Sequence, residues 1–403
     1  MRIIFLGLLL LLGSIFCSAA GAQFVHPGVA HSSEDIALAK EKLAAKEEPW
    51  LSSWKLLVGS RHASLQYKPN AFSEVERGSY NDPDIGSSEF SSDGRAAYCH
   101  AVCWAITGDE AHAKKTEEIL NAWSGELESI KNHDAALLIG MGGYHYCVAA
   151  ELLKHTWDKW SAKDQARFET MLREIYYPVI KDFYPTANGN WDASMLQVMI
   201  AMGVFLDDQK MFDKAKDYYL QGSGNGAIGN YFKPSGQCQE SGRDQSHTQM
   251  GLEFLANTCE TAWIQGVDLY GALDNRLLKG FEYTAKFNLG MDVPYEPYES
   301  VEGRYHYKKI SNSARGRFRP MYERVHNHYA NRKGLETRYT EQAALKLREE
   351  SPEARERNDG RRSRKNRSRT RNRSSASALD TLLYAGVPAA GKKDAVPVGG
   401  EAK

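Results

Sequence analysis

The stretch Gln237-Cys-Gln-Glu-Ser-Gly-Arg-Asp-Gln-Ser-His-Thr-Gln249 runs straight into Met250-Gly-Leu-Glu-Phe-Leu-Ala-Asn257. A polar run that opens an apolar run of helical spacing marks a helix entrance, here predicted over 245–267. Glu240, Arg243 and His247 stand three and four positions apart, so one helical face would carry all three. A carboxylate, a fixed cation and an imidazole together suit holding an acidic substrate and moving its protons. A second polar cluster, Asn188-Gly-Asn-Trp191, precedes another apolar segment, predicted as a helix over 191–206. Two polar clusters at helix entrances imply a cleft lined by helix ends.

Working outward, the chain reads as helix after helix. Ser32-Ser-Glu-Asp35 is a capping signal for a helix through about residue 46. Asp93-Gly-Arg95 leads into apolar residues at helical spacing over 96–106, and Thr107-Gly-Asp109 stops them. Further helices are predicted over 111–123, 135–154 (interrupted by Gly140, Gly142 and Gly143), 161–177, 209–220 and 275–289. Strand alternation is nearly absent over this stretch. Residues 291–329 change character: rich in Tyr and charge, broken by Pro and Gly, they read as a long functional loop. Ser313-Ala-Arg-Gly-Arg-Phe-Arg-Pro320 adds Arg315, Arg317 and Arg319. Helices resume over 321–332 and 340–350. Consecutive helices joined by short Gly-containing turns predict an all-α fold of paired helices, an incomplete α/α toroid or a helical solenoid. No fixed-period repeat is present, which disfavours the regular solenoids.

The charges balance, with Lys+Arg and Asp+Glu both 51, so nothing global argues for nucleic acid or a membrane surface as partner. Arg2, the apolar run from Phe5 to Phe16 and Ala20-Gly-Ala22 read as a secretory signal cleaved after Ala22, implying a secreted or periplasmic protein. No later run reads as a membrane-inserted helix. The expected organisation is a signal peptide over 1–22, one catalytic domain over 23–350 and an Arg-rich, mostly disordered tail over 351–403. Within that tail Leu379-Asp-Thr-Leu-Leu-Tyr384 reads as a short element docking back. Of the six cysteines, Cys17 leaves with the signal, and the odd remainder excludes a fully paired disulfide framework. Buried free thiols are expected. No Cys/His spacing resembles a zinc site, and no metal or cofactor is expected.

Taken together, Asp93-Gly-Arg-Ala-Ala-Tyr98 through Trp104-Ala-Ile-Thr-Gly-Asp109, Asn188-Gly-Asn-Trp191, residues 239–249 and Gly316-Arg-Phe-Arg-Pro-Met-Tyr-Glu323 resemble the alginate lyase superfamily. Within it the chain is most similar to exported Bacteroidetes-type polysaccharide lyases with an α/α toroid. The resemblance spans roughly residues 25–350. It implies metal-independent β-elimination on an acidic polysaccharide, a polyuronate such as mannuronate-containing alginate. That chemistry has three tasks. The substrate carboxylate must be neutralised so that the C5 proton can leave. A base must take that proton, and an acid must protonate the glycosidic O4.

Carried onto this chain, the resemblance makes Asn190 the carboxylate neutraliser, against a plain helix cap as the alternative. His247 becomes the base or a second neutraliser. Arg243 binds carboxylate or merely pairs with Glu240 or Asp244, and Glu240 orients His247 or faces the substrate. The better-known family pattern has Asn-Asn-His, then Arg with Tyr seven residues on. This chain has Asn-Gly-Asn, and Met250 stands seven after Arg243. The tyrosine must then come from the loop, which offers Tyr298, Tyr305 and Tyr307. Tyr305, flanked by Arg304 and His306, is the first choice, because an adjacent cation eases loss of a phenol proton; Tyr298 is second. Trp191, Tyr298, Arg304, His306, Arg315 and Arg319 are assigned to substrate binding, with a structural pairing to Glu323 as the alternative for Arg319. Two other readings compete: a glycoside hydrolase on the same toroid, with Asp192 and Glu240 as its carboxylates, and a non-catalytic binder of acidic glycans.

Overall fold

Ser32 accepts a hydrogen bond from the Asp35 N–H while the Asp35 side chain takes the Ser32 N–H, and this reciprocal cap opens the helical body as expected. The computed structural model describes residues 23–349, 376–386 and 396–397. The signal peptide expected over 1–22 and the Arg-rich segment lie outside the described residues. The helices are α1 (Ser33–Ala44), α2 (Trp50–Val58), α3 (Ser87–Thr107), α4 (Glu110–Glu126), α5 (Ala135–Leu138), α6 (Tyr144–Thr156), α7 (Ala162–Met171) and α8 (Tyr177–Ile180). They continue with α9 (Asn190–Phe205), α10 (Gln209–Gln221), α11 (Ile228–Tyr231), α12 (Gln245–Ile264), α13 (Ala272–Asn288), α14 (Tyr322–His326) and α15 (Arg338–Glu349). Residues 376–384 form a last helix, α16.

Helices α3, α6, α9 and α12 are neighbours in that order and form the inner layer; α4 packs outside α3, α10 outside α9, and α13 outside α12. This is the α/α toroid. The inner layer follows from composition. Every residue of α9 except Trp191 is buried, which is what a helix apolar all round requires. The outer helices α4, α7 and α10 bury one stripe each. The three glycines between α5 and α6 lie in a wide turn, Ile139–Gly143, that lets α9 come close. A Cβ on Gly140 would stand 2.3 Å from Ser194 Oγ, and one on Gly142 would stand 2.6 Å from the Phe90 ring. Contrary to the sequence reading, Ala135–Thr156 is long and apolar enough to cross a membrane, but 83% of its apolar window is buried inside the fold. It is a core element.

The strands are short. β1 (Glu74–Arg77) pairs antiparallel with β2 (Asp84–Ile85) and parallel with β3 (Ser129–Lys131). β4 (Val267–Asp268) pairs with β7 (Val396–Pro397). β5 (Tyr298–Glu299) and β6 (His306–Tyr307) make a hairpin inside the Tyr-rich loop, with Tyr298 opposite Tyr307. Helix α3 begins at Ser87, ahead of the predicted start, because Asp93 is a buried helical residue. It accepts hydrogen bonds from Tyr67 Oη, the Asn70 N–H and Trp123 Nε1. The cysteines at 99, 103, 147, 238 and 259 are free and buried, as expected.

Helix α16 docks onto the body. Leu379, Leu382, Leu383 and Tyr384 are buried, and Tyr384 Oη donates to the Ala30 carbonyl at 2.6 Å. The Asp380 carboxylate accepts the Glu323 N–H. The folded body thus extends past residue 350, the domain end expected from the sequence. Leu382→Ala should lower unfolding stability by about 2–5 kcal/mol, the usual cost of emptying a fully buried leucine site. Urea titration followed by far-UV circular dichroism checks this; an unchanged midpoint would mean α16 adds nothing to the core.

Candidate active site

Gly189 occupies the position before α9 and Asn190 is its first helical residue; neither side chain caps the helix. The cap comes from across the chain. Gln239 Oε1 accepts the Gly189 N–H at 3.0 Å, and Glu240 Oε2 accepts the Asn190 N–H at 2.9 Å. The capping reading of Asn190 is therefore excluded. Its Oδ1 lies 3.5 Å from Arg243 Nη1, and its Nδ2, though buried, has no hydrogen-bond partner among the described residues. A buried donor without an acceptor costs free energy and calls for an explanation.

Glu240 and Arg243 precede α12 rather than riding on it, because Asp244 is the helix cap and Gln245 the first helical residue. The single helical face inferred from spacing does not exist, yet the tight turn before α12 still brings the three side chains together. Glu240 is fully buried. Its Oε1 takes Arg243 Nη1 at 2.7 Å, and its Oε2 also takes Tyr231 Oη at 2.8 Å. Burial works against the Arg243 charge, but Glu240 more than offsets it and raises the guanidinium above its ordinary pKa.

Arg243 Nη2 stands 3.2 Å from His247 Nε2, and His247 Nδ1 stands 2.6 Å from Asp244 Oδ2. Arginine only donates, so Nε2 must offer a lone pair, and the imidazole proton sits on Nδ1, given to Asp244. The geometry selects a neutral His247 whose basic nitrogen is turned to Arg243. Burial disfavours the Asp244 carboxylate, but hydrogen bonds from the His247 side chain and N–H outweigh it and hold Asp244 below its ordinary pKa.

The tyrosine on this cluster is Tyr307. Its hydroxyl donates to Asn188 Oδ1 at 3.1 Å, and burial, reinforced by Glu240, pushes its phenol up to about 12. The loop that carries it is fastened by backbone bonds. The Ser311 N–H donates to the Ser241 carbonyl at 3.0 Å and the Gln245 N–H to the Ser313 carbonyl at 2.9 Å. Close approach needs Gly242, where a Cβ would stand 2.4 Å from Tyr307 Cβ. Trp191, half-buried beside Asn190, meets His133 edge-on at 5.4 Å and Tyr184 at 5.4 Å, an aromatic wall beside the cluster.

So Asn190, Trp191, Glu240, Arg243 and His247 come together, and the other predicted residues do not join them. Tyr305 stacks parallel to Tyr307 at 6.4 Å, outside the hydrogen-bonded group. Tyr298 is turned away, its hydroxyl donated to the Asn230 carbonyl. Arg304 lies over the Tyr305 ring at 5.4 Å, and exposed His306 is 3.9 Å from Glu299. Arg315 is anchored to the Phe287 and Met291 carbonyls at 2.8 and 2.9 Å. Arg319 is held by Glu253 at 2.6 Å; Glu323, its expected partner, pairs with Arg348 instead. The middle arginine, Arg317, is exposed and carries no side-chain partner among the described residues. The hydrolase reading loses its acids, since both Asp192 oxygens are taken by the Tyr184 N–H, the Gly226 N–H and Tyr218 Oη. Both Glu240 oxygens are likewise occupied. Sequence reasoning named Asp244 only as an alternative partner of Arg243 and missed its cap and its bond to His247, although Asp-x-x-His before an apolar run carries the spacing of a helix cap.

An alginate lyase family model matches residues 59–292. No curated protein sequence matches the chain. Among solved structures, an alginate lyase from Bacteroides ovatus superposes with a TM-score of 0.52 at 12% identity, covering 90% of this chain and 97% of that one. Alginate lyase A1-III from Sphingomonas species A1 gives 0.55 at 12% identity, over 78% and 91%. A variant of alginate lyase A1-III complexed with tetrasaccharide gives 0.53 at 12% identity, over 77% and 90%. At such identity these likenesses speak for the fold.

Two outcomes test the cluster. Glu240→Gln keeps the shape but removes the counter-charge of Arg243, and should cost about 3–5 kcal/mol in urea unfolding at neutral pH. The lowered Asp244 pKa stabilises the fold above the ordinary carboxyl range, and that contribution is lost as pH falls through the folded value. Asp244→Asn should therefore flatten the acid limb of the stability–pH curve; a limb as steep as the parent's would refute the His247–Asp244 bond.

Proposed function

The chain belongs to the alginate lyase family and is a polysaccharide lyase, and from that premise we propose that it cleaves a polyuronate, mannuronate-containing alginate, by β-elimination carried by side chains alone. The observation that carries this reading is the orphan Asn190 Nδ2 beside the Arg243–His247–Asp244 chain. A uronate carboxylate is the group those donors lack. Asn190 Nδ2 and the unused N–H groups of Arg243 would hold it, withdrawing charge from C5. His247 Nε2, released from Arg243 as the carboxylate arrives, takes the C5 proton. The C5–H electron pair forms the C4–C5 double bond as the C4–O4 bond breaks. Tyr307 gives its proton to the leaving O4, and Arg243 steadies the resulting phenolate.

The assignment of acid and base follows from the two environments. A phenol pushed up to about 12 keeps its proton at neutral pH, which suits an acid and not a base. The free lone pair belongs to His247. Trp191 would stack on a sugar ring, and the unpaired Arg317 would meet a further carboxylate of the polymer. We also propose export, on the strength of Arg2, the apolar run from Phe5 to Phe16 and Ala20-Gly-Ala22; N-terminal sequencing of the mature protein should begin at Gln23.

The test is ultraviolet absorbance of the conjugated alkene over time on alginate, polymannuronate, polyguluronate and glucuronan. Signal is expected on mannuronate-containing polymer. His247→Ala and Tyr307→Phe should each lose about 10²–10⁴-fold in kcat, and Asn190→Ala about 10²–10³-fold. Tyr305→Phe should stay within a few-fold of the parent, and Arg317→Ala should raise KM with kcat held. New reducing ends without the alkene signal would reject elimination. A large loss in Tyr305→Phe with Tyr307→Phe active would reject the choice of acid.

A further inference from the structure

Far from this cluster, two histidines and a glutamate converge at the opposite end of α9. Glu151 and His155 lie one turn apart on α6, and His26 comes from the segment before α1. One ligand atom from each of the three lies within 4.8 Å of the others. Glu151 is fully buried; its Oε1 takes the Gly28 N–H at 2.9 Å and faces His26 Nδ1 at 2.7 Å. Its Oε2 makes no hydrogen bond among the described residues and looks toward His155 Nε2 at 3.6 Å. The His26 and His155 rings stack at 4.1 Å, tilted by only 8°. Asp207, just past the end of α9, holds His26 Nε2 at 3.2 Å.

We propose that His26, Glu151 and His155 form a binding site for a divalent transition metal of the zinc class, with Asp207 orienting His26. The donor set is two imidazoles and a carboxylate, a common zinc triad. Tetrahedral neighbours on zinc stand about 3.3 Å apart, close to the 3.6 Å between His155 Nε2 and Glu151 Oε2. The unsatisfied Oε2 is the atom that a cation would satisfy. His26 would bind through Nδ1 while Nε2–H is given to Asp207, the carboxylate–histidine arrangement that fixes ring orientation at metal sites. An imidazole binds an ion in its ring plane, so the stacked, partly exposed His155 ring would turn toward Oε2, and the 2.7 Å contact between His26 Nδ1 and Glu151 Oε1 would open, as the ion enters; the exposed side leaves room for water as the fourth ligand. The sixteen residues of α9 separate this place from Asn190, about 24 Å at 1.5 Å per residue. The role is thus structural: the ion would pin the segment around His26 to α6 and α9. The competing occupant is a proton on His26, shared with Glu151.

The experiment uses tag-free full-length mature protein, stripped by chelator, reloaded with Zn²⁺ and desalted. Metal content is read by plasma mass spectrometry and thermal unfolding is followed with and without Zn²⁺. Co²⁺ loading reports coordination through its visible spectrum. The parent should retain about one ion per chain, melt higher with Zn²⁺ and show the intense Co²⁺ bands of a low-coordinate site. His155→Ala, which removes a partly exposed side chain and leaves the Glu151 contacts to Gly28 and His26 intact, should lose retention and the thermal shift but keep lyase activity. Asp207→Asn should weaken retention about 10–100-fold. No retained ion in the parent, or equal retention by folded His155→Ala, would overturn the site.

Discussion

A buried carboxylate, Glu240, is the constraint on which the active-site end of this molecule rests. One oxygen takes the first N–H of α9 and the Tyr231 hydroxyl, and the other takes Arg243. Three parts of the chain, residues 188–191, 231 and 243, thereby share one anion. A carboxylate at a helix N-terminus also meets the positive end of the helix dipole. Burying a charge this completely is costly unless its oxygens are well met, and here three donors meet them. The fold is what makes that possible. The inner helix α9 presents its N-terminus to the turn before α12.

Much of this was legible. Apolar residues at helical spacing, capping serines and the Gly108 stop placed the main helices correctly, because inner and outer helices of a toroid are strongly patterned and set apart by local signals. The resemblance motifs pointed to Asn190, Arg243 and His247, which do meet. The small sheet of β1, β2 and β3 was not legible. Its strands are two to four residues long, and β1 meets β3 only through a partner some fifty residues away. Nor could spacing show that the glycines at 140, 142 and 143 serve close helix packing; that depends on Ser194 and Phe90, which arrive from elsewhere in the chain.

The errors have two causes: helical periodicity was extended one turn too far, and chain neighbours were trusted where the partner is distant. Asp244 stops α12 from reaching back to Arg243, so the Glu240–Arg243–His247 group is built by a turn and a helix start together. Tyr305 was preferred for its neighbours Arg304 and His306. In a hairpin, however, neighbours point to opposite faces and residues two apart share one. The useful partner of a tyrosine there is whatever the hairpin lies on. That is Asn188 and the 240–243 turn, and Tyr307 reaches them. Arg315 and Arg319 are likewise engaged by carbonyls and by Glu253, contacts made across the fold that no local window contains.

Under the elimination proposed above, the electrostatics of the cluster would favour the transition state over a bound anion. Two carboxylates, Glu240 and Asp244, stand against one guanidinium, and the geometry keeps His247 neutral. The resting cluster is therefore no trap for anions by net charge. A substrate carboxylate gains there from directed donors, Asn190 Nδ2 and the free edge of Arg243, rather than from bulk attraction. If, as proposed, a proton moves to His247, the balance changes. The imidazolium lies between Asp244, already hydrogen-bonded to its Nδ1–H, and the negative charge growing on the substrate. In that proposed step Asp244 would steady the cation as the carboxylate of a catalytic triad does, and the cation would in turn offset the new charge. An arrangement that is nearly indifferent to the ground-state anion and complementary to the proton-transferred state puts its interaction energy where it accelerates reaction.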